Sequence, residues 1–273
     1  MRNRQTETGM VNCSNILIVS DLDGTFLGKD GKTVPRNMEA VARFMQCGGL
    51  FSFATGRVHT TIEQFVLPHY REMINAPAVM CNGACVFDPV HDRILHEELL
   101  DGRAIRPIVR EVLQRFAIAH TNIYAGPDYF CYQDTPPELI QPDDWHKVVF
   151  VAEPDEILRL HAWADKNSRG IFRFFRSADF LCEFLSVRAG KGEMLRRLRE
   201  DYAKQGRRLV TYGIGDYEND LDLIEAADHG ACPANAFQPV RERAEIVLSA
   251  SNEEGAVAEL IEIAMRSAER NGK

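Results

Sequence analysis

The chain has 273 residues, 45% hydrophobic and 26% charged, with a formal net charge of −8 and a pI near 5.5. That length carries one large domain or two smaller ones, and the composition is that of an ordinary globular protein. The acidic balance and the lack of a basic tract argue against nucleic acid as a partner, and no run approaches the ~18 apolar residues of a membrane span. Seven cysteines, at 13, 47, 81, 85, 131, 182 and 232, are scattered and form no C-x-x-C pair. A zinc site or disulfide framework is therefore not expected, and a cytoplasmic setting is. The first residues lack the apolar stretch of a signal peptide, so 1–13 read as a flexible leader in which Met10 is an alternative start.

The first expected element is a buried parallel strand, Asn15 to Ser20, followed at once by Asp21-Leu22-Asp23-Gly24. Pro35 opens a helix carrying Met38, Val41, Ala42 and Met45 at helical spacing, and Gly48-Gly49 stops it. Leu50 to Ala54 reads as a second strand ending at Thr55-Gly56-Arg57. A helical stretch near 58–66 and a third strand, Ala78 to Cys81, follow. Strand–helix–strand alternation of this kind predicts a doubly wound, mostly parallel, Rossmann-like α/β sheet.

After about residue 86 the pattern changes. Strand-like aromatic runs at Ile123-Tyr124 and Tyr129 to Tyr132 precede a loop marked by Pro136, Pro137 and Pro142. A strand from Lys147 to Val151, a helix over 155–167 and an antiparallel pair, 171–175 with 180–185, complete the stretch. Helices mixed with hairpins predict an α+β cap domain over 86–186, inserted into a core made of 14–85 and 187–273. The first pattern returns with a helix from Gly192 to Lys204 and a strand from Arg208 to Ile214 ending at Gly215-Asp216. A further helix, a short strand and a helix over 253–268 close the chain.

Four polar clusters fall where a predicted core strand ends or a helix begins, and open α/β sheets bind ligands at the carboxyl ends of their strands. They are Asp21 to Thr25, Thr55-Gly56-Arg57, Lys191, and Gly215-Asp216-Tyr217-Glu218-Asn219-Asp220. Hydrolysis of a phosphate ester requires charge neutralisation, an attacking group and a proton for the leaving oxygen. A carboxylate can attack phosphorus and form an aspartyl-phosphate. Asp21 and Asp23, two apart on an extended strand end, point the same way, and Gly24 permits a tight loop with amides facing an anion. Asp21, the Asp23 carbonyl and Asp216 offer hard oxygen ligands to Mg²⁺. Lys191 supplies a positive charge at a helix start, and Thr55 a hydroxyl.

At these clusters the chain resembles the haloacid dehalogenase (HAD) superfamily of phosphohydrolases. All four of its motifs occur in order, and the insert between the second and third resembles the α+β cap of the Cof-like group, subfamily IIB. Cys81-Asn82-Gly83-Ala84 resembles the segment leading into that cap. The resemblance covers 14–268 and implies Asp21 as nucleophile and Asp23 as general acid/base. Thr55, Gly56 and Lys191 are implied on the phosphate, with Mg²⁺ held at Asp21, Asp23, Asp216 and Asp220. Asn219 and Asp220 would orient phosphate, Lys191 or metal-bound water, and the expected substrate is a small phosphomonoester, a sugar phosphate above all. One departure is Cys232-Pro233-Ala234-Asn235-Ala236, where the family has Met-Gly-Asn-Ala. Pro233 removes an amide donor, and a loop beside the site would then alter substrate fit.

Each feature also has a plainer reading. Arg57 either faces substrate or makes a structural ion pair. Glu218 and Asp222 read as a solvated helix face. Tyr124, Tyr129, Tyr132 and Trp145 read as cap core rather than a sugar platform. Glu183 either binds a substrate hydroxyl or faces solvent on an alternating strand. His59 lies near the chemistry without a role, and Cys232 lacks a base to activate it. Phosphotransfer between sugar hydroxyls and non-catalytic phospholigand sensing are the competing functions. A monomer or small homo-oligomer is expected.

Overall fold

The computed structural model describes residues 11–126, 128–135, 140, 143–168 and 170–271. Most of the expected leader, together with Pro136, Pro137 and Pro142, lies outside them. Cys13, at the end of that leader, is buried, and its amide donates to the Cys47 carbonyl at 2.8 Å.

Strand β1 (Ile16–Ser20) is buried at every position, as a central parallel strand covered on both faces must be. Helix α1 (Pro35–Gln46) starts on a proline whose missing amide would have had no partner, and it buries Ala40, Val41 and Phe44. Strand β2 (Leu50–Phe53) follows. Its Phe51 and Phe53 meet Phe26 at centroid distances of 5.9 and 4.9 Å, an aromatic floor under the loop that leaves β1. Helix α2 (His59–Thr61) is one turn that continues as a π turn, Ile62–Val66.

Strand β3 (Ala78–Met80) departs from expectation. It pairs antiparallel with β4 (Cys85–Asp88), which turns back into β5 (Arg93–Glu97), and a single parallel bridge, Ala54 to Val79, ties it to β2. Pro77 has no amide to give, and the Ser52 hydroxyl donates to the Ala76 and Pro77 carbonyls at 3.2 and 2.8 Å, in place of a longer ladder. The β4–β5 hairpin falls almost wholly within the expected cap range of 86–186, yet Val86 and Leu95 pack with Leu17 and Val19 of β1.

The middle of the chain forms β6 (Leu100–Asp101), α3 (Gly102–Arg115), β7 (His120–Ala125), β8 (Asp128–Cys131), β9 (Asp144–Trp145), β10 (Lys147–Val151), α4 (Pro154–Asn167), β11 (Arg173–Ala178) and β12 (Leu181–Leu185). Five of these strands make an antiparallel sheet in the order β11-β12-β10-β7-β8. Alternation divides its residues between two faces. Ile123, Val148, Phe150, Cys182 and Phe184 pack with Ile105, Val109, Ile157 and Leu160 of the helices. Tyr124, Lys147, Val149, Leu181 and Glu183 lie on the other face. Trp145 and Tyr132 belong to the helix-side cluster, as expected of cap-core aromatics, whereas Tyr124, expected with them, lies on the opposite face and lines a cavity; the Tyr129 side chain lies outside the described residues.

The chain then returns through α5 (Lys191–Lys204), β13 (Val210–Ile214), α6 (Leu221–Ala226), β14 (His229–Cys232), α7 (Gln238–Arg243), β15 (Ile246–Val247) and α8 (Ala256–Asn271). The first sheet runs β15-β14-β13-β1-β2, every neighbour parallel. The molecule is thus a Rossmann-like α/β core with an inserted cap.

Gly83 sits where the two parts meet. Its φ is +88°, and a Cβ there would lie 2.1 Å from the Gly190 carbonyl carbon, so both conformation and space demand glycine. Gly83→Ala is expected to cost about 1–3 kcal/mol of stability, read as a lower urea midpoint at unchanged slope; an unaltered midpoint would contradict this packing.

Candidate active site

Because β1, β2 and β13 are parallel neighbours, the residues that follow them emerge at one edge. Asp21 leaves β1, Thr55 lies just past β2, and Asp216 just past β13. Two further bonds continue the ladder into the loops: the Asp21 amide donates to the Ile214 carbonyl and the Ala54 amide to that of Ser20, both at 2.8 Å.

Lys191, the first residue of α5, is completely buried and completes the cluster. Its Nζ donates to Asp21 Oδ1 at 2.6 Å and to Asp220 Oδ1 at 2.5 Å. Asp220 Oδ2 accepts from the amides of Asp216 and Tyr217 at 3.0 and 3.1 Å, which pins the loop. Thr25 donates its hydroxyl to Asp216 Oδ1 at 2.8 Å. Gly24, at φ +81°, lets the loop after β1 come close: a Cβ there would lie 2.5 Å from Asp216 Oδ2.

Three carboxylates, of Asp21, Asp216 and Asp220, place one oxygen each within 4.8 Å of one another, against the single ammonium of Lys191. Burial, then the charge of Asp220, pushes the Asp21 carboxyl well above its usual range. The same causes push Asp216 up to about 7. Burial opposes the charge on Lys191, yet Asp21 and Asp220 outweigh it and raise its pKa. Hard oxygen donors with unneutralised charge fit a divalent cation.

Asp23 stands apart from this trio. Its carboxylate accepts from Arg57 Nε and Nη2 at 2.7 and 2.8 Å, so Arg57 makes the ion pair that was one of its two expected readings. Thr55 is buried, and its hydroxyl accepts from the Arg57 amide at 3.2 Å. A cavity of about 660 Å³ opens above, lined by Asp21, Asp23, Gly56, Arg57, Asp216, Asn219 and Asp220 on the core side. Lys191 and Thr55 lie behind that wall. The opposite wall carries Tyr124, Lys147, Val149, Leu181 and Glu183 from the second sheet, the face left free by its helices.

Other readings need correction. Glu218 is not a solvated residue: its carboxylate is paired with Arg176 and only 17% exposed. Asp222 pairs with Arg173 at 2.9 Å and is 15% exposed. Each thereby joins β11 to the segment after β13. Glu183 neither faces solvent nor stands open; it is buried and paired with Lys147 at 2.7 Å. Asn82 and Lys147 were not anticipated, although a lysine opening an otherwise apolar strand was a visible signal. The loop containing Pro233 supports the site from behind: Asn235 Nδ2 donates to the Gly24 carbonyl at 2.9 Å. Cys232 is buried, and its thiol is pushed up to about 11 by that burial. The His59 side chain lies outside the described residues.

Comparison with known proteins agrees with this geometry. The family model of haloacid dehalogenase-like hydrolases matches residues 18–136 and 127–261. The chain is 24% identical to the pyridoxal phosphate phosphatase YbhA of Escherichia coli, over 90% of this chain and 97% of that protein. It is 23% identical to the 5-amino-6-(5-phospho-D-ribitylamino)uracil phosphatase YwtE of Bacillus subtilis, over 90% and 96%. A HAD/COF-like hydrolase from Plasmodium vivax superposes with a TM-score of 0.79 at 21% identity, covering 93% of this chain and 97% of that one. The chain belongs to the haloacid dehalogenase-like hydrolases. Within them it is a Cof-like phosphatase, a phosphoric monoester hydrolase.

The carboxylate cluster makes stability depend on pH. Asp216 keeps its proton up to about pH 7 when folded but titrates near 3.8 when unfolded. The native state therefore binds the extra proton between those values, and stability falls as pH rises through that window. In metal-free protein, Asp216→Asn is expected to flatten this fall and to exceed wild type in stability above pH 7. Urea titrations across the window, giving parallel profiles for the two proteins, would refute it.

Proposed function

We propose that the protein is a Mg²⁺-dependent phosphatase of small phosphomonoesters that works through an aspartyl-phosphate on Asp21. The observation that carries this reading is the Lys191 ammonium, held between Asp21 and Asp220 with Asp216 alongside, at the floor of a cavity of metabolite size.

In this reading an Asp21 carboxylate oxygen attacks phosphorus as the ester P–O bond breaks. Asp23 gives a proton to the leaving oxygen. Asp23 then takes a proton from water, whose oxygen attacks phosphorus, releasing phosphate and restoring the Asp21 carboxylate. Lys191 holds the nucleophile in line and offsets charge. The Gly56 loop and Asn219 hold the phosphoryl oxygens, with the expected phosphate ligand Thr55 just behind them, its hydroxyl bonded to the Arg57 amide, while Arg57 orients Asp23. Asp21, Asp216 and the Asp23 carbonyl would hold Mg²⁺, with Asp220 in reach. The ion, when bound, screens one anion from another and polarises the phosphoryl group.

We take the substrate to be a phosphorylated metabolite, with sugar phosphates the first to test. The polar wall presented by Lys147, Glu183, Ser177 and Asp179 supports a polar leaving group. So does the phosphorylated ribityl chain in the named substrate of the Bacillus subtilis relative. The proposed division assigns 14–85 and 187–273 to the core and 86–186 to the cap, with the β4–β5 hairpin packed on the core. A cytoplasmic location, as a monomer or small homo-oligomer without nucleic-acid partners, completes the proposal. No helix among the described residues is long and apolar enough to cross a membrane.

With Mg²⁺ the protein should release phosphate from p-nitrophenyl phosphate and from one or more sugar phosphates, and chelation should abolish the activity. Asp21→Asn should lower kcat by about 10⁴ or more; wild-type turnover in that variant would remove Asp21 as nucleophile.

A second expectation concerns the covalent step. Labelled substrate quenched in acid should leave phosphate on wild type, discharged by hydroxylamine, and none on Asp21→Asn. Labelling that persists in the variant would place the phosphoryl group elsewhere.

A further inference from the structure

The cap side of the cavity holds a charged pair that the chemistry above does not use. Lys147 of β10 and Glu183 of β12 are diagonal neighbours, since Val148 faces Phe184 and Val149 faces Glu183. Both side chains are about 5% exposed or less. Burying such a pair is costly unless further hydrogen bonds satisfy it, and where those bonds go is informative. Lys147 Nζ donates to Glu183 Oε2 at 2.7 Å and to the carbonyl of Gly56 at 2.9 Å, and lies 4.9 Å from the Tyr124 ring centroid. Glu183 Oε1 accepts from the Ser177 hydroxyl at 2.6 Å, and Oε2 accepts from Asn82 Nδ2 at 2.9 Å.

Asn82 carries the connection into the core. It is fully buried in the left-handed region, φ 54° and ψ 34°, a conformation asparagine tolerates better than most residues. Its amide donates to the Thr55 carbonyl at 2.8 Å. Its Oδ1 accepts from Asn219 Nδ2 at 3.1 Å. Asn219 Oδ1 is buried beside the cavity and has no hydrogen-bond partner among the described residues. One chain of bonds therefore runs from the cap pair through Asn82 to Asn219, and a second from Lys147 to the Gly56 loop.

We propose that Lys147, Glu183 and Asn82 are positioning residues through which the docked cap sheet aims Asn219 and the Thr55–Arg57 loop at the phosphoryl group. This rests on the phosphatase reading of the Asp21 site. Lys147 already holds two hydrogen bonds and Glu183 three, and the pair's effect on the phosphoryl group runs through Asn219 and Gly56. Cap docking and catalytic readiness are then one event: undocking breaks the Glu183–Asn82 and Lys147–Gly56 bonds together.

The test separates aiming from simple adhesion of the two sheets. Asn82→Gly keeps a backbone suited to positive φ and leaves the ion pair intact while cutting the relay; Glu183→Gln disturbs its other end. With p-nitrophenyl phosphate and Mg²⁺, each variant should lose kcat by about ten- to hundredfold, the scale of lost hydrogen bonds to a charged group. KM should move by less than about threefold, as for groups that act in the transition state. The double variant should be no worse than the worse single one, because both cut the same chain. Multiplying losses, or wild-type kcat in Asn82→Gly, would overturn the relay.

Amide hydrogen exchange supplies a readout independent of turnover. In Asn82→Gly, segments 54–58 and 216–220 should exchange about fivefold faster, the scale of one lost hydrogen bond. Exchange confined to 147–151 and 181–185 in Glu183→Gln, with 216–220 unchanged in both variants, would reduce the pair to adhesion and overturn the proposal. Should wild type release no phosphate from any monoester, the phosphatase reading fails by itself, and the exchange result still decides whether the relay exists.

Discussion

Everything at this site depends on burying one ammonium. A lysine with no exposed surface pays a desolvation cost of several kcal/mol, and it persists only where partners compensate it. Asp21 and Asp220 do so at 2.6 and 2.5 Å. They come from loops some two hundred residues apart, so the ion pair fixes where β1 ends relative to β13 and where α5 begins. With Lys191 between them, Asp216 has no cation of its own and holds its proton up to about pH 7, and the pocket is electrostatically incomplete. An incomplete anionic floor favours a cation, and the cation in turn admits an anionic substrate.

The second sheet follows from strand alternation rather than from any special motif. One face must bury Ile123, Phe150 and Phe184 under helices α3 and α4; the intervening residues then have no choice but to face the core. Polar side chains on that face become the roof of the cavity. Beside the packing of Phe175 and Leu185 into the core cluster, the contact between the two parts includes directed bonds: Lys147 to Gly56, Arg176 to Glu218, Tyr217 to Asp179, Asn82 to Glu183. Directional contacts specify one docked geometry in a way that an apolar patch of equal area does not.

The core and the catalytic cluster were legible in the sequence because both rest on short-range patterns. An apolar β-branched run announces a buried strand, and a carboxylate immediately after it announces a residue at the sheet's carboxyl edge. That logic reached Asp21 and Asp216; Thr55 and Lys191, a hydroxyl after a strand and a lysine at a helix start, drew their meaning from the order of the motifs the chain resembles. Helix α3 escaped because Pro107 reads as a breaker, although Ile105, Val109 and Val112 recur at helical spacing. Asp101 caps that helix, accepting from the amides of Arg103 and Ala104. The β4–β5 hairpin escaped because its exposed residues blur alternation. The partners of Glu183, Glu218 and Asp222 were illegible in principle: a charge's burial is set by what folds over it from elsewhere in the chain.

One bond has a consequence for how the protein comes into being. The Gly24 carbonyl, in the loop after β1, is held by Asn235, and β1 lies in the sheet between β2 and β13. β1, which leads into Asp21, is thus synthesised about 190 residues before its neighbour β13. A chain emerging from the ribosome can fold its insert, whose strands are close in sequence, while β1 still waits for β13. The carboxylate cluster is complete only once β13 and the loop after it have arrived, so a chain interrupted before them can have a folded roof but an unfinished floor.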